Sequence, residues 1–345
     1  MSYQSDVLEQ PQVLRQLIYT YQHHTVWSIL SDYPQRSILL TGMGASYNAL
    51  YPAWFYLNQQ GKTALHLETS TLIHYLPTLL ERPSLIVAVS QSGESIELQK
   101  LVAQIEARRH HSSQPPVLIS VTNSPQNTLA DHSDVALPTA AGPEVGIATK
   151  TYTSSMLVLH FIARALTGQL QPQDFEYGDA IASQAQTFLK EQQADISNAF
   201  NVLKASSYIS IIGRGPALAT ANNAALMLKE GVRIPAEGYS GGQFRHGPRE
   251  MIVPQIGSIV LTSPDATLGI NQRLAADIVE YGGPVVCIGQ PTIGTTHIPL
   301  PEIEDIFLHP LLEILPIQQL VAQLADQQNM TPGEFRWSGK VVDQE

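Results

Sequence analysis

The chain has 345 residues, 43% hydrophobic and 14% charged, which is enough apolar material for two ordinary domains and excludes a disordered chain. Its net charge of −11, from 19 basic and 30 acidic residues, speaks against nucleic acid or anionic membrane as the main partner, since both need a basic footprint. The single cysteine, Cys287, leaves no intrachain disulfide and no cysteine metal cluster.

In chain order, Gln10–Leu30 carries apolar residues at helical spacing and is predicted to form a helix ahead of the first domain. Five short apolar runs follow, each ending in a turn signal. Ser37–Thr41 leads into Gly42-Met43-Gly44-Ala45-Ser46, Ala64–Leu67 into Glu68-Thr69-Ser70, and Ser84–Val89 into Ser90-Gln91-Ser92-Gly93-Glu94. Val117–Val121 ends in Thr122-Asn123-Ser124, and Asp134–Leu137 closes the series. Near-continuous apolar strands alternating with helices predict a parallel sheet covered on both faces, in a flavodoxin-like α/β domain.

A helical stretch over Met156–Ala205 separates this series from a second one, with strands at Tyr208–Ile212, Ser258–Leu261 and Pro284–Ile288. The shared order of strand, glycine turn, helix and strand predicts a tandem duplication split near Gly168–Asp174. Expected boundaries are a helical segment over 1–34, a phosphate-binding domain over 35–170, a domain with catalytic groups over 171–330, and a tail or lid over 331–345. Glu313–Asp326 is a further helical pattern. No apolar run approaches the roughly twenty residues of a membrane span, and the polar start lacks a signal-peptide pattern, so a cytoplasmic protein is expected.

The segment Ser90-Gln91-Ser92-Gly93-Glu94-Ser95 carries the most chemistry. It stands where a strand ends and a helix begins, the place where backbone N–H groups and the helix dipole favour an anion. Ser90, Ser92 and Ser95 add hydroxyl donors, and Gly93 allows close approach of the backbone. The bland alternative is an ordinary serine cap. Turns at Gly44-Ala45-Ser46 and Thr122-Asn123-Ser124, at the same end of the sheet, favour a phosphate site. A dinucleotide reading of Gly42-Met43-Gly44 fails because Tyr47 stands where the third glycine belongs. In the second half, Thr262-Ser263-Pro264-Asp265 offers no counterpart loop, so one phosphate site per chain is expected. His23-His24 and His110-His111 are adjacent pairs without metal-ligand spacing, and neither a metal nor a cofactor is expected.

Together with Glu144–Lys150, Gly213-Arg214-Gly215, Leu228-Lys229-Glu230, Ala236–Tyr239 and Arg245-His246-Gly247-Pro248, these motifs resemble those of double sugar-isomerase (SIS) domain proteins. The likeness is to the isomerase half of glucosamine-6-phosphate synthase and to SIS-type glucosamine-6-phosphate deaminases. It implies two tandem flavodoxin-like SIS domains, with Gly44, Ser46, Ser90, Gln91, Ser92 and Ser95 at the substrate phosphate. It implies Glu230 as the carboxylate that moves a proton between C1 and C2, and His246 as an aid to ring opening supplied across a homodimer with shared sites. Lys340 matches a tail lysine that closes over the sugar and can form an imine.

The chain departs from the synthase pattern at Met227, where a lysine is expected, and at Asn223, where a glutamate is. The loop over 144–150 is one residue short. Ser2 stands where a synthase has its nucleophilic cysteine, so glutamine is not expected to be the ammonia source. The resemblance implies an amino-sugar phosphate deaminase/isomerase acting on glucosamine 6-phosphate. A ketose–aldose isomerase or deglycase on another hexose 6-phosphate, or a sugar-phosphate sensor, is the alternative.

Overall fold

The computed structural model describes residues 2–31, 33, 37–82, 84–109, 114–337 and 339–342. The chain divides into two compact units. The N-terminal sheet unit holds Gln12–Pro143, Lys150–Asp179 and Phe335–Glu345; the C-terminal sheet unit holds Met1–Pro11, Glu144–Thr149 and Ala180–Glu334.

The N-terminal sheet has β1 (Ser37–Gly42), β2 (Ala64–Glu68), β3 (Ser84–Ser90), β4 (Val117–Thr122) and β5 (Val135–Pro138). The C-terminal sheet has β6 (Tyr208–Gly213), β7 (Ala236–Ser240), β8 (Ile256–Thr262), β9 (Val285–Gly289) and β10 (Thr296–Pro299). Helices in chain order are α1 (Tyr3–Tyr21), α2 (Val26–Ser31), α3 (Gly44–Asn48), α4 (Tyr51–Gln59), α5 (Thr69–Tyr75), α6 (Ile96–Arg109) and α7 (Thr128–Asp131). Then follow α8 (Lys150–Leu166), α9 (Pro172–Glu191), α10 (Gln193–Leu203), α11 (Leu218–Val232), α12 (Gly241–Arg245), α13 (Leu268–Glu280) and α14 (His309–Gln327).

Both sheets are parallel throughout, and their orders are β2-β1-β3-β4-β5 and β10-β9-β8-β6-β7. Read from β7, the second order repeats the first strand for strand. Each sheet therefore has one switch point, between β1 and β3 and between β6 and β8, where the connections leave in opposite directions. Ligands of open α/β sheets bind beyond the carboxyl ends of the strands at such a point.

The central strands are buried end to end, as their β-branched and leucine runs require: every residue of β3 and all but the first of β8 are buried. Against the first sheet, Leu72, Leu98, Leu101, Ile105 and Leu129 pack on Leu39, Ile86 and Leu118. In the second, Phe244, Leu274 and Ile278 pack on Ile212, Val260 and Cys287. Each such side chain removed from water stabilises the fold by roughly 1.5–3 kcal/mol.

The fold departs from the sequence reading in detail. The opening helix is two, α1 and α2, parted at Gln22–Thr25. The stretch over Met156–Ala205 holds parts of three helices, α8 to α10. Strands β7 and β10 were not anticipated; both lie at sheet edges and are mostly part-exposed, so they lack the apolar run that marks a buried strand. Gly231 lies inside α11, and Arg233, at φ 55°, takes the left-handed position that ends it. Gly231 is instead a packing residue, because a Cβ there would come 2.8 Å from Val321 Cγ1.

Candidate active site

In the N-terminal sheet unit the loop after β3 curls back on itself. The Ser90 hydroxyl accepts from Gly93 N at 3.0 Å, and the Ser92 hydroxyl accepts from Glu94 N at 3.1 Å. Each oxygen is engaged as an acceptor while its proton remains available to donate. The Ser95 hydroxyl oxygen is buried and has no hydrogen-bond partner among the described residues. A buried hydroxyl left unbonded is costly, and an anion in the loop would relieve that cost. Gly93 sits at φ +71°, and a Cβ there would lie 1.9 Å from Asn127 Oδ1, so no other residue fits this turn.

Neighbouring turns lock this loop. The Glu94 carboxylate accepts from Thr128 N at 2.6 Å and from the Thr128 hydroxyl at 2.7 Å, and these bonds hold its carboxyl below the usual range. Asn123 N donates to Gln91 O at 3.1 Å, and Leu129 N donates to Gly93 O at 3.1 Å. Asn127 caps α7 by accepting from Ala130 N at 2.9 Å while donating to Ser124 O at 2.7 Å. Gly44 and Ser46 lie on α3, directly after β1. The structure thus puts Gly44, Ser46, Ser90, Gln91, Ser92 and Ser95 on the two segments that follow β1 and β3, at one switch point.

The tail meets the same place. Ile96, first residue of α6, donates its N–H to Val342 O at 3.1 Å. One N–H of that helix end is therefore taken by the tail, and Lys340, exposed, lies two residues before the carbonyl that takes it. Lys340 and the Ser90 loop belong to the same unit.

In the C-terminal sheet unit, Glu230 lies in the last turn of α11, three residues before Arg233. Burial pushes its carboxyl up to about 6 against the opposing pull of Lys229. Asn223, Met227 and Glu230 recur at spacings of four and three residues, which sets them on one helix face. Asn223 and Met227 are 0% and 1% exposed, and neither polar atom of the Asn223 amide has a partner among the described residues. His246 is exposed just past α12, with its N–H donated to Gln243 O at 3.0 Å. No hydrogen bond joins Glu230 to His246 among the described residues.

Glu144 closes the loop ahead of α8: its Oε1 accepts from Thr149 N at 2.9 Å and from the Thr149 hydroxyl at 3.1 Å. The turn after β8 is used structurally. The Ser263 hydroxyl donates to Glu313 Oε1, and Asp265 Oδ1 accepts from Thr267 N at 2.6 Å. Glu313 itself is 0% exposed and also accepts from the Thr220 hydroxyl at 2.8 Å; burial raises its carboxyl.

A cavity of about 270 Å³ lies elsewhere in this unit, lined by residues that include Tyr3, Gln318, Gln323 and Asp326, and none of the expected site residues borders it. No group of three His, Cys, Asp or Glu side chains is placed to hold a metal among the described residues, and no described helix is long and apolar enough to cross a membrane. His23 and His24 are both exposed, and His110-His111 falls outside the described residues.

Sequence reasoning missed Glu94, Asn127 and Asn123 as holders of the loop. Their signal was faint: polar residues with turn propensity, whose partners lie across the loop or on another strand.

Residues 33–165 match the SIS domain family. Over 344 aligned residues it is 26% identical to a glutamine–fructose-6-phosphate aminotransferase (isomerizing) of Zymomonas mobilis, covering 93% of this chain and 55% of the relative. The chain thus spans about half the length of the curated relatives it matches. Among solved structures, the C-terminal domain of glucosamine-fructose-6-phosphate aminotransferase from Francisella tularensis shares the fold with a TM-score of 0.86 at 20% identity, over 97% of this chain and 98% of that one. Glucosamine-6-phosphate deaminase from Thermotoga maritima does so with a TM-score of 0.77 at 18% identity, over the full length of both.

Proposed function

We propose that this chain is a phosphosugar enzyme that converts glucosamine 6-phosphate and water to fructose 6-phosphate and ammonia. The observation that carries the reading is Glu230, a carboxyl held near pH 6 by burial at the end of α11. A base poised there is mostly ionised at neutral pH, yet close enough to its own titration to take a proton and return it. The reading is further supported by the hydroxyl-lined Ser90 loop, which suits a phosphate monoester, and by relatives and structural neighbours whose names specify hexose phosphates.

In this mechanism Gly44, Ser46, Ser90, Gln91, Ser92 and Ser95 hold the phosphate, which orients the sugar. His246, from a partner copy in a homodimer, passes a proton to the ring oxygen as the ring opens. Glu230 then removes the C2 proton and delivers a proton to C1, so that the amino group becomes an imine on C2. Water adds to that carbon and ammonia leaves, which gives the ketose. The Lys340 tail covers the opened sugar and shields it from premature hydrolysis. No cofactor is required. Residues 35–170 supply the phosphate site and 171–330 the catalytic groups, in a cytoplasmic enzyme.

The test is ammonia release from a panel of 2-amino-hexose 6-phosphates, with ketose 6-phosphate followed alongside. Equimolar ammonia and fructose 6-phosphate from glucosamine 6-phosphate is the expected result. Ketose–aldose interconversion of another hexose 6-phosphate without ammonia would overturn the deaminase reading in favour of an isomerase. Tight binding with no turnover of any member would overturn it in favour of a sensor.

A further inference from the structure

The switch point of the C-terminal sheet carries two arginines that are not among the residues expected to act there. Arg214 follows β6 directly, and Arg245 ends α12, which follows β7. Both guanidinium groups lean on the first turns of α13, the helix after β8. Arg214 Nε donates to Asn271 Oδ1 at 2.9 Å, and Arg245 Nη2 reaches Ile270 O at 3.4 Å. Asn271 is 3% exposed and is itself fixed by donating to Leu261 O at 3.0 Å. Below the Arg214 guanidinium lies the bare backbone of Gly241, where a Cβ would sit 2.7 Å from Nε and 2.8 Å from Nη2.

Two like charges are held close together here, both half-buried, and neither has a carboxylate within ion-pair distance among the described residues. The nearby acid, Asp265, has Oδ1 committed to Thr267 N and the Thr267 hydroxyl, at 2.6 and 2.7 Å. Burial and the repulsion from Arg245 both lower the Arg214 pKa, opposed by Asp265. An arrangement that keeps two half-buried cations side by side is unfavourable on its own and becomes favourable when an anion bridges them. Planar guanidinium forks suit an oxyanion with several acceptor oxygens, and phosphate is the best fit.

We propose that Arg214 and Arg245 form a second oxyanion site on this chain, at the β6–β8 switch point, that binds the phosphate group of a small molecule or free phosphate. It lies at the switch point that corresponds to that of the Ser90 loop, but is built from guanidinium forks that follow β6 and β7 instead of hydroxyls that follow β1 and β3. The turn after β8, where a counterpart of the Ser90 loop would stand, does not supply it. The cations come instead from the ends of β6 and α12, which are distant in sequence and meet only in the folded unit.

The test is calorimetric titration of inorganic phosphate into the full chain at fixed ionic strength, with chloride as the matched control. Two classes of site are expected. Arg245→Gln weakens one class roughly tenfold, as expected for loss of a charge-assisted hydrogen bond, and leaves the other intact. Ser92→Ala does the reverse. Gly241→Ala, which displaces the Arg214 guanidinium and keeps its charge, weakens the same class as Arg245→Gln, and circular dichroism verifies the fold of each variant. A folded Arg245→Gln and Gly241→Ala pair that binds phosphate like the parent would overturn the proposal, as would an equal response to chloride. Loss of only the Ser92-dependent class in every variant would also overturn it, whereas loss of the Arg245-dependent class alone, with no effect of Ser92→Ala, would strike the Ser90 loop and spare this site. In the Ser92→Ala protein, fructose 6-phosphate binding more tightly than inorganic phosphate identifies a monoester as the occupant, and the reverse identifies the free ion; either supports the site.

Discussion

The two sheets have the same strand order, yet the carboxyl ends of their central strands carry opposite kinds of chemistry. After β1 and β3 the chain uses hydroxyls, glycine and backbone N–H groups, with Ser90 and Ser92 folded onto the loop's own amides. After β6 and β7 it uses charged side chains, Arg214 and Arg245, which meet on α13, while after β8 Ser263 and Asp265 are spent on structural bonds. Topology therefore fixes where a crevice forms, and the few residues past each strand end decide what it can do. Neutral donors bind an anion at little desolvation cost when the site is empty. Half-buried cations hold one more strongly but pay electrostatic self-repulsion in its absence.

The largest effect that would sharpen this contrast is expected from Glu230→Gln. Turnover should fall by roughly a hundredfold to ten-thousandfold, the usual contribution of a positioned general base, while sugar-phosphate binding persists. Unchanged turnover would remove Glu230 from the chemistry. The same substitution has a stability signature. The Glu230 carboxyl is raised in the fold from 4.5 to about 6, so its favourable contribution is complete below about 4.5 and is lost as pH rises through about 6. Above that pH the ionised group costs about 1–2 kcal/mol. Glu230→Gln should therefore gain about that much in urea unfolding at pH 8 and nothing at pH 4, while the parent's kcat/KM should rise from pH 5 to a plateau above about pH 6. A variant no more stable at pH 8 would place Glu230 in a well-solvated setting.

A smaller effect is expected at the neutral crevice. Gly93→Ala forces a Cβ into Asn127 at a left-handed φ, and should cost about 1–3 kcal/mol of stability while weakening phosphate-sugar binding at least about tenfold. Phosphate uptake that depends on Arg245 should be unaffected. If both classes of binding fall together, the two crevices are not independent.

The smallest effect is expected from Glu94→Gln. Thr128 holds this carboxyl below its usual range, so the stabilisation it lends is present at neutral pH and is lost on acidification. Because the group is well solvated, the variant should weaken sugar-phosphate binding only about two- to threefold. A loss as large as that of Gly93→Ala, measured in the same calorimetric assay, would mean that Glu94 does more than tie the two loops together.

The sequence determined the parallel α/β class, eight of the ten strands and the Ser90 loop, because each is a local pattern: a buried apolar run, or a turn whose residues bond to their own neighbours. Edge strands β7 and β10 escaped because part-exposed strands carry no such run. Only the tertiary structure decided that Glu230 is buried enough to raise its carboxyl to about 6, since its neighbours in sequence, Lys229 and Gly231, look like those of a solvated helix end. Only it brought the tail carbonyl of Val342 onto Ile96, and Arg214 beside Arg245 over Gly241. Burial and the meeting of distant charges are sums over the whole fold, and no short window of sequence contains them.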